Sequence, residues 1–136
     1  MTLQGYGFML VAGRWNFKGH RVLYTAENSS LALLEYLAHT KGLKRRLPYQ
    51  LITIEIPDQH IEELSSDILK GDWRHEPFIT REVGSKWLTS GTALVLKVPS
   101  VRNEDNCNYL INPDHADFGQ VKIMSIKEIS FDQRLW

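Results

Sequence analysis

A short segment near the N-terminus carries residue types suited to a catalytic site that binds anions. Segment 13–20 (GRWNFKGH) places Arg14 and Lys18 between glycines, and Glu35 follows in the middle of an apolar segment. The planar guanidinium of arginine can hold two oxygens of a phosphate or carboxylate at once. A glutamate among apolar residues must be neutralised or find a partner, because burial of a bare charge is costly. The combination predicts a functional site.

The elements that must position these residues are a loop, a strand and a helix. Gly13 and Gly19 permit tight turns around the loop 14–20, and 22–25 is a short apolar strand that contains Tyr24. Asn28, Ser29 or Ser30 can cap a helix over 31–40, which Gly42 would end. Apolar residues fall on both sides of this helix, so we expect it to lie between layers with Glu35 directed into protein or into a cleft.

The rest of the chain predicts an α+β fold with more strand than helix. Segment 4–12 is predicted as a loop that leads into a strand, and the basic stretch 41–46 as a solvated linker or a surface for an acidic partner. The spacing predicts a short helix around 61–64 and a longer one over 80–89, ended by Gly91. Strands are predicted over 51–56, 93–98, 109–111, 121–126 and 128–131, and Ser100 follows the nearly continuous apolar strand 93–98. We predict a single domain over residues 1–136.

Composition excludes several classes of function. Sixteen basic residues balance sixteen acidic ones, so long-range attraction to nucleic acid or anionic lipid is not expected. The single Cys107 excludes an internal disulfide, and the five histidines lack the spacing of a zinc site. The sequence has neither a G-x-G-x-x-G motif nor a phosphate-binding P-loop motif, nor an apolar run of about 20 residues. We therefore expect a cytoplasmic protein with no metal and no membrane or direct nucleic-acid contact.

Four separated motifs resemble the RES domain family of bacteria, named for its Arg, Glu and Ser. They are GRWNFKG (13–19), VLYTAE (22–27), ALLE (32–35) and LKVPS (96–100), the last followed by NYLINPDH (108–115). The resemblance runs from about Leu3 to the C-terminus. It implies a fold like that of ADP-ribosyltransferases, with a mixed, mostly antiparallel sheet and a few helices. Family members usually have a further N-terminal strand, which the resemblance predicts is missing here.

The resemblance implies that NAD is consumed as a substrate, with no cofactor. The expected reaction releases nicotinamide and transfers ADP-ribose to phosphate or water, which makes the protein a glycosyltransferase or glycohydrolase of the NAD phosphorylase type. Because nicotinamide leaves as a neutral molecule, the developing charge lies on the ribose, as in glycoside hydrolysis. A fixed carboxylate beside that sugar would stabilise the transition state more than the ground state.

The predicted catalytic residues are Arg14, Tyr24, Glu35 and Ser100. Glu35 would stabilise the ribose cation; the alternative is a structural glutamate paired with an arginine such as Arg14. Arg14 would hold the pyrophosphate or a ribose; the alternative is a salt bridge within the loop. Tyr24 would contact nicotinamide or phosphate; the alternative is a structural position in the hydrophobic core. Ser100 would bind the nicotinamide amide or its ribose; the alternative is a serine at a strand end with no role in binding.

Two further residues are predicted to bind NAD. Lys18 would add a point charge to phosphate, with a solvated side chain as the alternative. Asn16 would contribute a polar contact, with a role in the turn itself as the alternative.

Other functions and partners stay open at this point. Protein mono-ADP-ribosylation would use the same residues, and a non-catalytic member would bind an antitoxin or a nucleotide without turnover. The resemblance also implies a toxin of a toxin–antitoxin system, with a helix-turn-helix antitoxin as partner. A homodimer is a further alternative.

Overall fold

The computed structural model describes residues 1–9, 13–40 and 49–129. Two helices and seven strands make up the ordered elements of these segments, with three short 3₁₀ turns between them. The strands are β1 (Thr2–Met9), β2 (Val22–Ala26), β3 (Tyr49–Glu55), β4 (Ile61–Glu63), β5 (Val95–Pro99), β6 (Cys107–Ile111) and β7 (Lys122–Ile129); the helices are α1 (Ser29–Thr40) and α2 (Pro77–Ser90). This content confirms the predicted α+β class.

The seven strands form one sheet in the order β4-β5-β6-β2-β1-β3-β7. Only β4 and β5 are parallel, and every other pair is antiparallel, as predicted. One buried cluster combines Leu3 of β1 and Ile54 of β3 with Val95 of β5 and Ile111 of β6. The partly buried Leu23 of β2 packs against the same cluster, so the cluster extends across five neighbouring strands, from β3 to β5.

A second buried cluster lies between the sheet and α2. It joins Val22, Leu96, Val98 and Leu110 from three strands to Trp87 of α2. A cluster of this kind fixes α2 against the central strands. Gly91 ends α2 with φ of 61°, and its N–H donates to the carbonyl oxygen of Trp87, which confirms the predicted helix end.

Helix α1 begins as the sequence predicts but is less buried than expected. The side-chain oxygen of Asn28 accepts a hydrogen bond of 2.8 Å from the N–H of Leu31, which is the cap geometry of a helix N-terminus. Leu31 and Ala32 are buried, whereas Leu34 is 40% exposed. The prediction of a helix between two layers is therefore wrong on the side of Leu34, where solvent reaches the helix.

Two predicted elements differ from the structure. The helix predicted around 61–64 is wrong, because Ile61–Glu63 forms strand β4, paired in parallel with β5. The two strands predicted over 121–126 and 128–131 are one strand, β7, with an irregularity opposite Thr53 and Ile54. Segment 4–12 was predicted to begin as a loop, but β1 already runs through Thr2–Met9. The basic stretch 41–46 and position 131 lie outside the described residues.

Candidate active site

Glu35 and Ser100, which are 65 residues apart in the chain, meet at the centre of the candidate site. Ser100 follows β5 directly and is fully buried. Its Oγ donates a hydrogen bond of 3.1 Å to Oε1 of Glu35, on α1. On the other side of the carboxyl group, Nε of Arg102 lies 3.9 Å from Oε2. The carboxyl group is therefore held from two directions by residues at the end of β5.

The loop that follows β5 sets the direction of the Ser100 hydroxyl. Its Oγ accepts hydrogen bonds of 3.1 Å from the backbone N–H groups of Arg102 and Asn103. The backbone N–H of Ser100 in turn donates to the carbonyl oxygen of Asn106 at 3.0 Å. With its acceptor capacity filled by two N–H groups, the hydroxyl can direct its single proton only to Glu35. Ser100 is thus a fixed donor to the carboxylate.

Burial raises the pKa of Glu35 above the usual range for a glutamate. The hydrogen bond from Ser100 and the charges of Arg102 and Arg14 act in the opposite direction, but desolvation is the largest contribution. About a quarter of the side chain stays accessible (24%), so the carboxyl group is not sealed in the core. A partly desolvated carboxylate beside cations can act strongly on a charge that develops next to it.

Arg14 is close enough to interact electrostatically with this carboxyl group, and one nitrogen of its guanidinium has no hydrogen-bond partner among the described residues. One terminal nitrogen donates to the carbonyl oxygens of Trp73, at 3.0 Å, and Arg74. Its Nε is buried and has no hydrogen-bond partner among the described residues. A buried donor without an acceptor is costly, so this nitrogen carries an energetic penalty in the structure.

The charges around Arg14 favour an anion. Burial lowers the pKa of Arg14, the nearby cations Arg102 and Arg81 lower it further, and Glu35 raises it. Three guanidinium groups with a single carboxylate leave a local excess of positive charge, although the whole chain has a net charge of zero. Such a cluster can bind a doubly charged pyrophosphate.

The loop that carries Arg14 is fixed by Asn16 and Tyr24. Asn16 is fully buried, and its side-chain oxygen accepts hydrogen bonds from the N–H of Gly13 at 2.9 Å and from the hydroxyl of Tyr24 at 2.5 Å. The same hydroxyl accepts a bond of 3.0 Å from the N–H of Trp15. These contacts give Asn16 and Tyr24 a role in holding the loop, and their contact with a substrate stays a prediction.

Helix α2 packs against the backbone of the same loop. The Thr80 hydroxyl donates to the carbonyl oxygen of Arg14, and Nε of Arg81 donates to that of Gly13 at 2.7 Å. A Cβ atom on Gly84 would overlap the carbonyl oxygen of Trp15, so only glycine allows this approach. The backbone on either side of Arg14 is therefore held by one helix.

The structure unites most of the predicted site residues and adds cations that sequence reasoning missed. Arg14, Glu35 and Ser100 come together, with Asn16 and Tyr24 behind the loop, whereas Lys18 is exposed at a turn beside Gly19. The missed residues are Arg74, Arg81 and Arg102. Arg102 is only two positions after Ser100, and this proximity to a motif residue was the one signal that pointed to it.

A cleft of about 510 Å³ lies between β4 and the ends of β5 and β6, and its lining reaches Pro99, the residue before Ser100. Its lining includes Glu63, Lys97 and Cys107 but none of the predicted site residues. Among the described residues no cluster of histidine, cysteine or carboxylate side chains could hold a metal ion. The candidate site is therefore defined by the contacts around Glu35.

A family model described as the RES domain matches residues 1–132. The chain belongs to the RES domain family. Glu35 and Ser100, two of the residues predicted from the family resemblance, are in direct hydrogen-bond contact. This match confirms the family resemblance predicted from the sequence. The motifs that carried the prediction all lie within the matched residues.

Curated relatives of this RES domain are named as toxins. Toxin Res of Yersinia enterocolitica is 38% identical over 138 residues, covering 98% of this chain and 90% of the relative. Toxin Res of Pseudomonas putida is 34% identical, with coverage of 98% and 92%. A Sphingobium protein named Prs ADP-ribosylating toxin is 33% identical, with coverage of 98% and 86%.

A solved structure shares the fold of this RES domain. It is the MbcT–MbcA toxin–antitoxin complex of M. tuberculosis, with a TM-score of 0.70 at 16% identity, over 95% of this chain and 84% of the matched one. At this identity the likeness shows the fold alone. In the described part of the chain, neither helix combines the length and the apolar character of a membrane span.

Proposed function

We propose that this RES domain cleaves NAD, releasing nicotinamide and transferring ADP-ribose to phosphate or water. The observation that carries the proposal is the contact of Glu35 with Ser100 and Arg102 in the immediate neighbourhood of Arg14. A carboxylate held by hydrogen bonding and within electrostatic reach of a guanidinium supports the proposal. A nucleotide with a positively charged nicotinamide riboside and a pyrophosphate requires both features.

Glu35 would act on the ribose as the glycosidic bond breaks. The pyridinium of NAD leaves as neutral nicotinamide, so no proton donor is needed at the leaving group, and positive charge develops on the sugar. The Ser100 hydroxyl and the Arg102 guanidinium hold the carboxylate in place before the reaction, so little reorganisation is needed when that charge appears. The ionised form of Glu35 is the active one, and activity falls when the carboxylate is protonated.

Arg14 would hold the pyrophosphate that links the two nucleotides. The guanidinium charge, with Arg102 and Arg81 nearby, would attract the phosphate oxygens. Arg81 lies close enough to affect the pKa of Arg14 and adds a second charge. Binding energy from the pyrophosphate, which does not react, positions the ribose bond against Glu35.

Protein mono-ADP-ribosylation is a second candidate function, since one relative is named an ADP-ribosylating toxin. It would use the same residues and differ only in the acceptor. We also propose that the protein is a toxin with a cognate antitoxin partner, because its relatives are named toxins and the similar solved structure is a toxin–antitoxin complex. A non-catalytic member that only binds a nucleotide or antitoxin is the third alternative.

One incubation separates these functions. The purified protein is mixed with NAD with and without phosphate, and free nicotinamide and the ADP-ribose products are resolved by chromatography. ADP-ribose phosphate indicates phosphorolysis, free ADP-ribose indicates hydrolysis, and labelled ADP-ribose on added cell protein indicates the transferase. If nicotinamide is never released under any of these conditions, the enzyme proposal is wrong and a binding function replaces it.

A further inference from the structure

Two phenylalanines form an exposed aromatic surface beside the Arg14 loop. The rings of Phe17 and Phe78 pack edge to face, with centroids 5.8 Å apart and an angle of 63° between their planes. Phe78 is the second residue of α2 and is 64% exposed, while Phe17 is partly buried. The feature that distinguishes this pair from other exposed apolar side chains is an accessible aromatic face beside a loop that carries an arginine, where a flat ring could stack.

The position of this aromatic pair relative to the arginines is fixed by short connections. Phe17 lies three residues after Arg14 in the same loop. Phe78 lies three residues before Arg81 on α2, so one helical turn of about 5–6 Å separates their Cβ atoms. Arg81 contacts the loop at Gly13, next to Arg14. The aromatic pair therefore adjoins the arginines, whereas Glu35 contacts Ser100 and Arg102 on α1 and β5.

The proposed NAD cleavage assigns one part of NAD to each of these groups. The carboxylate site would take the nicotinamide ribose, and the arginines Arg14 and Arg81 would take the two phosphates. We propose, on the basis of the proposed NAD cleavage, that Phe78, supported by Phe17, forms the subsite for the adenine ring of the substrate. Aromatic side chains bind nucleobases by stacking, and an exposed face of Phe78 offers the surface that adenine needs.

This subsite would affect substrate binding and leave the chemical step unchanged. Adenine lies at the far end of NAD from the bond that breaks, so its contacts are the same in the ground state and in the transition state. Contacts of this kind lower KM without changing kcat. Phe78→Ala is therefore expected to raise KM for NAD about tenfold, within the range measured for loss of one base–aromatic stack, at unchanged kcat.

Nicotinamide mononucleotide provides the substrate that distinguishes this role from a structural one, because it has the reacting bond but no adenine. Nicotinamide release is measured for both substrates in wild type, Phe78→Ala and Phe78→Trp. We expect Phe78→Ala to change KM for NAD alone and Phe78→Trp to retain the wild-type KM. Ile123→Ala, which removes an equally exposed apolar side chain (63%) on β7, is the matched control. An equal change for both substrates, or no change for NAD, would overturn the adenine subsite.

A binding measurement keeps this test independent of turnover. The dissociation constant of ADP-ribose is measured for wild type and Phe78→Ala, with ribose 5-phosphate as the ligand that lacks adenine. The subsite predicts that Phe78→Ala weakens ADP-ribose binding about tenfold and leaves ribose 5-phosphate unaffected. If NAD is not cleaved but this difference appears, the proposed activity is wrong and the subsite stands. Equal ADP-ribose binding by both proteins overturns the subsite even if NAD is cleaved.

Discussion

Replacing Ser100 with alanine removes a single oxygen that serves three neighbours. Its Oγ donates to Glu35 and accepts from the N–H groups of Arg102 and Asn103. Because Ser100 is fully buried, alanine fits the same space without contact with new groups. The change therefore tests whether the hydroxyl prepares the carboxylate for catalysis or only closes the turn after β5.

The size of the effect follows from the kind of hydrogen bond that is lost. A hydrogen bond to a charged group contributes about 1.5–3 kcal/mol, so loss of an equal amount of transition-state stabilisation lowers kcat/KM by about 10- to 150-fold. The N–H groups of Arg102 and Asn103 also lose their acceptor. Because Ser100 is fully buried, these N–H groups are left without an acceptor, and we expect a loss in the free energy of unfolding of about 1–3 kcal/mol.

The pH profile separates the two roles of Ser100. Its hydrogen bond favours the carboxylate form of Glu35, so without it the pKa of Glu35 rises further. Nicotinamide release is measured against pH for wild type and Ser100→Ala, and we predict that the acidic limb of kcat/KM moves to higher pH. Ser90→Ala removes a serine hydroxyl that donates to a carbonyl oxygen at the end of α2 and serves as control. An unchanged acidic limb with an unchanged kcat/KM would refute the reasoning.

Three further predictions concern stability and the Arg14 loop. Gly84→Ala forces α2 away from the carbonyl oxygen of Trp15 and should lower the free energy of unfolding by about 3 kcal/mol in denaturant titrations; an unchanged midpoint would contradict this close packing. Tyr24→Phe removes a hydroxyl that makes two hydrogen bonds in the loop and should cost about 1–2 kcal/mol of stability together with a lower kcat/KM, whereas full activity would exclude a role for the hydroxyl. Because the pKa of Glu35 is raised in the folded state, the folded protein binds the proton more tightly than the unfolded chain. The contribution of Glu35 to stability is therefore fully present below the ordinary glutamate pKa and is lost as pH rises through the raised pKa of the folded state. Glu35→Gln should therefore flatten the dependence of the free energy of unfolding on pH between these two pKa values. An unaltered dependence would contradict the pKa shift.

The sequence was sufficient to predict those site residues whose chemistry is unusual for their surroundings. Glu35 stands out because a carboxylate interrupts an apolar helix, and Ser100 because it ends a buried strand. Neither observation says that the two meet across 65 residues. The packing of α1 near the end of β5 determines that contact, and only the family resemblance linked the two positions in advance.

The missed features depend on tertiary contacts that leave little trace in local sequence. Ile61–Glu63 has an apolar spacing compatible with a helix, but pairing with β5 makes it a strand. Arg81 is an ordinary charged residue of a helix until α2 packs on the carbonyl oxygen of Gly13. The exposure of Leu34 likewise depends on what covers α1, which periodicity alone does not specify.

The central claim is that Arg14 and Glu35 act together on one NAD molecule, and nicotinamide release by conservative variants tests it most directly. Arg14→Lys keeps the charge but removes Nε and the planar fork, and Glu35→Gln keeps the shape but removes the charge. Arg21→Lys and Glu62→Gln, at exposed positions, are the matched controls. We predict that each site variant lowers kcat/KM at least about 100-fold while it folds normally by circular dichroism and that the controls keep wild-type rates. Wild-type turnover in either Arg14→Lys or Glu35→Gln would contradict the account.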